Sequence, residues 1–310
     1  MTSRELVLAA LRGETVPRPP VICPGGMMSF AVTEVMAATG FSWPAAHRDA
    51  SLMAGLALNM QRATGVDNVG VPFCMTVEAE ALGAEVNYGS AEVQPRVVRE
   101  PLTDIGEVGK LERLAGTQGD RRPVVLEAIR LLRAQAPEVA VVGTVVGPVS
   151  LAGQVLEAGL LLRAMRRQPA QVHELLRRCA ALVTEFALDQ IAAGADAMMI
   201  AEPTGTGEIL GGKLYREFAD PYLRELIAAL HGRSTPVILH ICGNPRAILP
   251  ALAETEVEAI SVDETANLRE ARAALDRALL MGNIGADLLA DGPPEAVVKN
   301  AARVLEGSES

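Results

Sequence analysis

Short apolar runs alternate with longer amphipathic stretches along most of the chain. Seven short runs, most of them bounded by Gly or Pro, have the composition of buried strands. They span residues 20–23, 68–72, 139–146, 197–201, 237–241, 259–263 and 279–283. The longer stretches predict helices over residues 150–167, 169–193, 212–231, 245–254, 267–277 and 293–305. This alternation predicts the α/β class with a parallel sheet.

The architecture that this pattern favours is a (β/α)8 TIM barrel lacking or abbreviated in its last strand. A closed barrel of this kind needs eight strands, and the chain reaches Ser310 directly after the helix that follows the seventh. Residues 83–114 break the rhythm and predict an extended excursion outside the main sheet, which could hide a strand. No linker or repeat divides the chain, so we expect one domain over residues 1–310.

Composition and charge narrow the function classes. Only 3% of the residues are aromatic, so the core must consist of Ala, Val, Leu, Ile and Met, which suits helices packed on a parallel sheet. A formal net charge of -10 argues against nucleic acid as a partner. No uninterrupted apolar run approaches eighteen residues, so no membrane span is predicted. The four cysteines are widely scattered, which favours thiols in the reducing cytoplasm over disulfides.

Candidate chemistry is concentrated at the predicted strand that ends in His240-Ile241-Cys242-Gly243. His240 and Cys242 lie two residues apart, so their side chains point to the same side of the strand. An imidazole and a thiolate form half of a zinc site, and Gly243 permits a sharp turn beside the metal. The alternative is a hydrogen-bonded core histidine beside an inert buried cysteine.

The next predicted strand ends in Asp263 and Glu264, which point to opposite sides. A carboxylate from this pair could complete a metal shell, or it could cap the following helix instead. Three protein ligands leave one position of a catalytic zinc open, and a thiol bound there is held as a thiolate at neutral pH.

Several segments resemble the uroporphyrinogen decarboxylase superfamily, and more closely its branch of methylcobamide:coenzyme M methyltransferases. The resemblance covers nearly the whole chain, and His240-Ile-Cys-Gly-Asn244 is its most specific part. The other segments are Val71 to Gly83, Val146 to Ser150, Ala193 to Asp196, Glu202 to Gly205 and Phe218 to Tyr222. The arginine-rich substrate motif of the decarboxylases has no counterpart in residues 20–28, and a tetrapyrrole with many carboxylates needs such cations.

The resemblance implies a zinc-dependent enzyme that takes a methyl group from a methylcobamide on a partner corrinoid protein. The methyl acceptor is a small molecule, either a zinc-bound thiol such as coenzyme M or tetrahydrofolate. His240 and Cys242 carry over as zinc ligands. Glu78, Glu202 and Asn244, at or near predicted strand ends, are candidates to hold the acceptor or contact the corrinoid; the carboxylates could equally be solvated loop residues.

The third zinc ligand of the resembling family is a cysteine on the last strand, and this sequence has no such cysteine. Glu264, Cys23 and Cys74 are candidate substitutes. We favour Glu264, because it follows Cys242 at a spacing similar to that of the zinc-binding Glu in cobalamin-independent methionine synthase.

Two other functions are compatible with the same residues. One is a decarboxylase-like lyase without a metal, in which His240 acts as acid or base. The other is a noncatalytic homologue that binds a corrinoid protein. An open barrel edge between the first and seventh strands would be a liability, which predicts a homodimer or a covering segment.

Overall fold

A parallel sheet forms the centre of the computed structural model, which describes residues 1–23 and 33–308. Within these residues the sheet has six strands, whose order β1-β4-β5-β6-β7-β8 follows the chain. They are β1 (Asn68–Val71), β4 (Ala140–Val146), β5 (Ala197–Ala201), β6 (Val237–Ile241), β7 (Ala259–Val262) and β8 (Leu279–Met281). All residues of β1, β4, β5 and β7 are buried, as expected for parallel strands covered on both faces.

Helices connect these strands, because parallel neighbours need a long crossover between them. The longer helices are α1 (Ser3–Leu11), α2 (Thr33–Thr39), α3 (Ala50–Thr64), α6 (Arg122–Gln135), α7 (Pro148–Val155), α8 (Ala158–Arg167), α9 (Pro169–Ala193), α11 (Asp220–His231), α13 (Leu268–Ala274) and α15 (Pro294–Ser308). The short ones are α4 (Val77–Ala81), α5 (Leu111–Leu114), α10 (Gly211–Leu214), α12 (Leu249–Leu252) and α14 (Ala286–Asp291). A π-helical turn, Tyr215–Ala219, joins α10 to α11.

Helix α9 shows how the sequence sets these elements. Pro169 occupies its first turn, where a missing N–H costs nothing, and Gly194 ends it with a φ of 118°. Its bounds are those predicted from the sequence. The predicted helix over residues 150–167 is wrong in one respect, because Leu156 adopts an extended conformation and bridges to Leu102. Glu157 then caps α8 by accepting hydrogen bonds from two backbone N–H groups of its first turn.

The segment over residues 83–114 lies outside the main sheet, as predicted. Its strands β2 (Glu85–Asn87) and β3 (Arg96–Arg99) form a separate antiparallel pair.

The predicted strand over residues 20–23 is not a regular strand. The N–H groups of Val21 and Cys23 donate to the side chains of Asp67 and Asn68, and their carbonyls accept from Asp67 N and Asn68 Nδ2. Proline at position 20 lacks the N–H that a ladder requires, so it cannot extend this pairing.

The strands follow one another in chain order, as predicted for successive β/α units of a barrel. In the part of the chain that the structure describes, no pairing joins β8 to β1, so β1 and β8 are edge strands. The carboxyl ends of all strands point to the same end of the sheet. We call this end the rim; it comprises residues 72–80, 147–150, 202–208, 242–246 and 263–270. No helix among the described residues is long and apolar enough to span a membrane.

A buried carboxylate connects the elements at the amino ends of the strands, opposite the rim. Asp196, just before β5, accepts hydrogen bonds from Arg4 of α1, Arg133 of α6 and the backbone N–H of Val141. One side chain therefore ties two helices and two strands together at the amino ends of the strands.

Candidate functional site

His240 and Cys242 lie together at the rim end of β6. His240 Nε2 is 3.2 Å from Cys242 Sγ, and His240 Nδ1 is 3.0 Å from the hydroxyl oxygen of Ser261. Ser261 is the residue of β7 that stands directly opposite His240 in the parallel register. The serine thus fixes the orientation of the imidazole ring and leaves Nε2 facing the thiol.

Burial sets the protonation of both groups. It lowers the pKa of His240 below its ordinary 6.5, against the opposing influence of Asp263, so the imidazole is neutral at neutral pH. Burial raises the pKa of Cys242 above 9, and the carboxylate of Asp263 raises it further. The thiol therefore stays protonated until a cation is placed beside it, which is how a metal ion creates a thiolate.

Of the two acidic residues after β7, the structure brings Asp263 towards this pair. Its carboxylate accepts hydrogen bonds from Thr265 N at 2.9 Å and Thr265 Oγ1 at 2.8 Å. Burial alone would raise the pKa of Asp263, but the bonds from Thr265 and the nearby N–H of Gly243 lower it. Glu264 is exposed and its carboxylate lies against Gly285, because neighbouring residues at a strand end point in opposite directions.

The donor pair fits a zinc ion. Zinc bonds of about 2.0 Å to nitrogen and 2.3 Å to sulfur place two tetrahedral ligands roughly 3.5 Å apart, close to the observed separation of Nε2 and Sγ. Over residues 1–23 and 33–308, no group of three or more His, Cys, Asp and Glu side chains is arranged to hold a metal. The described chain thus provides two donors, with Asp263 as the neighbouring carboxylate.

Cys74 and Cys23 occupy other places. Cys74 is fully buried, and its sulfur accepts hydrogen bonds at 3.4 Å from Arg121 and from Thr76. Arg121 is itself buried and ion-paired with Glu80. Cys23 is half-buried, and its backbone pairs with the side chain of Asn68. Residues 24–32 lie outside the described part of the chain.

Glu202, a candidate substrate-binding residue, has the contacts of a helix cap. It is fully buried after β5, and it accepts hydrogen bonds from Val149 N at 2.9 Å, Ser150 N at 2.8 Å and Gly205 N at 3.2 Å, as well as from the hydroxyl of Ser150. Burial raises its pKa to about 7. These bonds satisfy the first turn of α7.

Glu78 and Asn244 are also placed by the structure. Glu78 on α4 is fully buried; its Oε1 accepts a hydrogen bond from Val146 N at 2.9 Å, and its Oε2 has no partner in the described structure. Burial raises the pKa of Glu78 to about 7. Asn244 is exposed and its Oδ1 accepts from the backbone N–H of Arg246, forming a turn after the motif.

Sequence reasoning missed two residues at this site. Ser261 was detectable, because it lies two residues before Asp263 and so faces the same side of β7. Glu208 gave no signal in its loop. Gly243 has a φ of 65°, and a Cβ at this position would collide with Glu208 Oε2. The glycine thus provides both the left-handed turn and room for the Glu208 carboxylate beside the motif.

Comparison with known proteins agrees with this geometry. The family model described as Uroporphyrinogen decarboxylase (URO-D) matches residues 2–310. The methylcobamide:CoM methyltransferase MtbA of Methanosarcina acetivorans is 32% identical over 310 residues, covering 98% of this chain and 89% of the relative. MtaA of Methanosarcina barkeri (strain Fusaro), which has the same description, is 32% identical over 312 residues and covers 99% of this chain and 89% of the relative.

A solved structure described as a methyltransferase from Methanosarcina mazei superposes with a TM-score of 0.88 at 30% identity. The match covers 99% of this chain and 90% of that one. Sequence, family and fold comparisons therefore agree over almost the entire length, and the chain belongs to the uroporphyrinogen decarboxylase family.

Proposed function

We propose that this protein is a corrinoid-dependent methyltransferase. It moves a methyl group from a methylcobamide on a partner corrinoid protein to a thiol such as coenzyme M, with tetrahydrofolate as the alternative acceptor. The observation that most directly supports this proposal is the pair of His240 and Cys242, whose Nε2 and Sγ lie 3.2 Å apart at the rim. Relatives described as methylcobamide:CoM methyltransferases support the same activity.

Zinc is the metal that suits this donor set. Bound zinc would lower the pKa of an acceptor thiol, so that the acceptor is a thiolate at neutral pH. His240 would hold it through Nε2 while Nδ1–H donates to Ser261, and Cys242 would hold it through sulfur. We propose Asp263 as the third ligand in place of Glu264, because Asp263 lies two residues after Ser261, which contacts His240, whereas the carboxylate of Glu264 lies against Gly285.

The transfer is a displacement at the methyl carbon. A lone pair of the acceptor sulfur forms the new sulfur–carbon bond, the cobalt–carbon bond breaks with both electrons staying on cobalt, and the proton of the thiol is released. The protein's own contribution is to position the acceptor opposite the corrinoid and to exclude competing nucleophiles. Since the motif opens at the rim, the partner corrinoid protein must approach that end of the sheet. Location in the cytoplasm and assembly as a homodimer stay predictions.

Metal content and turnover test this proposal together. Purified protein should contain about one zinc ion per chain and should methylate a thiol with methylcobalamin as donor. His240→Ala and Cys242→Ser should lose both metal and activity, because each removes a donor from a site with few protein ligands. His231→Asn is the matched control, since His231 ends α11 at the other end of the sheet and contacts Glu258.

The rival functions give different results. A metal-free protein with full activity would contradict the zinc site and favour a lyase that uses His240 as acid or base. A protein that binds its corrinoid partner but never consumes the methyl group would be a noncatalytic homologue.

A further inference from the structure

Two carboxylates flank the turn that follows Cys242. Asp263 follows β7, the strand whose Ser261 contacts His240, and the carboxylate of Glu208 lies against Gly243, the residue after Cys242. Asp263 accepts two hydrogen bonds from Thr265, both through Oδ1. Glu208 is exposed, and no hydrogen bond or ion pair to it occurs among residues 1–23 and 33–308. Glu208 therefore places an uncompensated negative charge at the entrance to the donor pair.

Two arginines at or near the rim are already neutralised. Arg246, four residues after Cys242, is ion-paired with Glu270 at 2.9 Å. Arg121, the buried arginine at the rim end of β1, is ion-paired with Glu80. A paired guanidinium exerts little net field on a third group, so neither arginine offsets the charge of Glu208.

The remaining segments of the rim supply no cation to the donors either. Residues 20–32 contain no Lys or Arg in the sequence. Lys213, on α10, lies outside the rim. Arg269 lies within it, but it is exposed in the first turn of α13 and makes no contact with His240 or Cys242 among the described residues.

The sum of the charges at the metal site determines which acceptor thiols it favours. The two positive charges of a zinc ion would be balanced by the Cys242 thiolate and Asp263, so an incoming thiolate makes the cluster negative. A second anionic group on a short acceptor would lie two carbon atoms from the sulfur, in the field of Glu208. Like charges at this range disfavour binding, whereas a neutral or cationic group is tolerated or attracted.

We propose that Glu208 is a specificity-determining residue, which makes this site select a thiol whose far end is neutral or positively charged over one that ends in an anion. This inference rests on the proposed function, because it concerns the acceptor of that methyl transfer. It narrows the acceptor of the proposed function: coenzyme M, which is 2-mercaptoethanesulfonate and is named in the description of relatives, would be a poorer acceptor here than a thiol of the same length with a neutral or cationic end.

Three thiols of equal length test it: 2-mercaptoethanol, cysteamine and 2-mercaptoethanesulfonate. With the zinc-loaded full chain, methylcobalamin as donor and low ionic strength, we expect kcat/KM for the sulfonate to be about tenfold below that for 2-mercaptoethanol. Glu208→Gln should reduce this ratio to about twofold, and Glu208→Lys should reverse it. Comparing the ratio between variants cancels the intrinsic reactivity of each thiol. Added salt should narrow the wild-type gap.

Glu217→Gln is the matched control. Glu217 is also exposed and stands on the π-helical turn after the Glu208 loop, and no contact links it to the motif in the described residues, so the control should keep the wild-type ratio. A wild-type preference for the sulfonate would overturn the inference. An unchanged ratio in Glu208→Gln would overturn it as well.

Equilibrium binding of the methylated products gives a readout independent of turnover. Dialysis should show 2-(methylthio)ethanol binding more tightly than 2-(methylthio)ethanesulfonate, with the gap reduced in Glu208→Gln. If no thiol supports transfer but this order of binding holds, the proposed function fails, while selection by Glu208 against an anionic ligand stands as a binding property. If transfer occurs with the sulfonate preferred, the assignment fails and the proposed function stands.

Discussion

Replacing Glu78 by Gln should change how the stability of the fold depends on pH. The carboxyl of Glu78 is fully buried, and burial raises its pKa from 4.5 to about 7. In the unfolded chain the group ionises near 4.5, so from there up to pH 7 the folded protein holds a proton that the unfolded chain has released. The stability from this proton is fully present below pH 4.5 and is lost as the pH rises through 7.

The magnitude follows from the same two values. The difference between them, at about 1.4 kcal/mol for each pH unit, corresponds to about 3 kcal/mol over the whole range. Between about pH 8 and about pH 6 the single group should stabilise the wild type by about 1.4 kcal/mol. Glutamine keeps an oxygen for the N–H of Val146 but cannot ionise, so Glu78→Gln should lack this increment.

Urea unfolding at these two pH values measures how much the free energy of unfolding changes with pH in each protein, and the two changes are then compared. The free energy of unfolding should rise more on acidification in the wild type than in Glu78→Gln. Glu127→Gln is the control, because Glu127 is exposed on α6 and pairs with Arg130 at the surface. Equal pH dependence in wild type and Glu78→Gln would refute the reasoning, since it would mean that the Glu78 carboxyl is not held protonated by burial.

Three further substitutions test the site and its support. Ser261→Ala removes the hydroxyl that orients His240, and we expect zinc affinity to fall about 10-fold to 100-fold in competition with a chelator, while Ser261→Thr keeps most of it. Gly243→Ala forces a Cβ onto Glu208 at a φ of 65°, so it should cost about 1–2 kcal/mol in urea unfolding and displace Cys242; full retention of zinc would contradict this. Arg121→Ala leaves Glu80 buried without its ion pair and should destabilise by about 3–5 kcal/mol, with Arg121→Lys recovering part of the loss; an unchanged thermal midpoint would show that the pair is not needed.

The strands of the main sheet were predictable because buried parallel strands are short, continuous apolar runs with Gly or Pro at their ends. The order of the strands followed from the rule that successive β/α units lie side by side. The pairing of His240 with Cys242 followed from the period of two along a strand. These features depend on local sequence and on simple packing rules.

The features that escaped prediction depend on tertiary contacts. Nothing in the sequence around Leu156 breaks the helical pattern, and the break appears only where Leu156 meets Leu102 of the excursion. The choice between Asp263 and Glu264 depends on the residue at which β7 ends, since one position of shift reverses the direction of each side chain. Glu208 reaches Gly243 from a loop that is far away in sequence, which no local pattern encodes.

The Asp196 cluster at the amino ends of the strands has a consequence for how this protein can diversify. Arg4, Arg133 and Val141 all bond to Asp196 at the amino ends of the strands, remote from His240. The stability that these contacts provide therefore does not depend on the loops at the rim. Substitutions at exposed rim positions, unlike those at the buried Glu78, Glu80 and Glu202, can then be sampled by evolution without unfolding the scaffold. Acceptor preference is the trait that such drift reaches most easily, through single exposed positions such as 208.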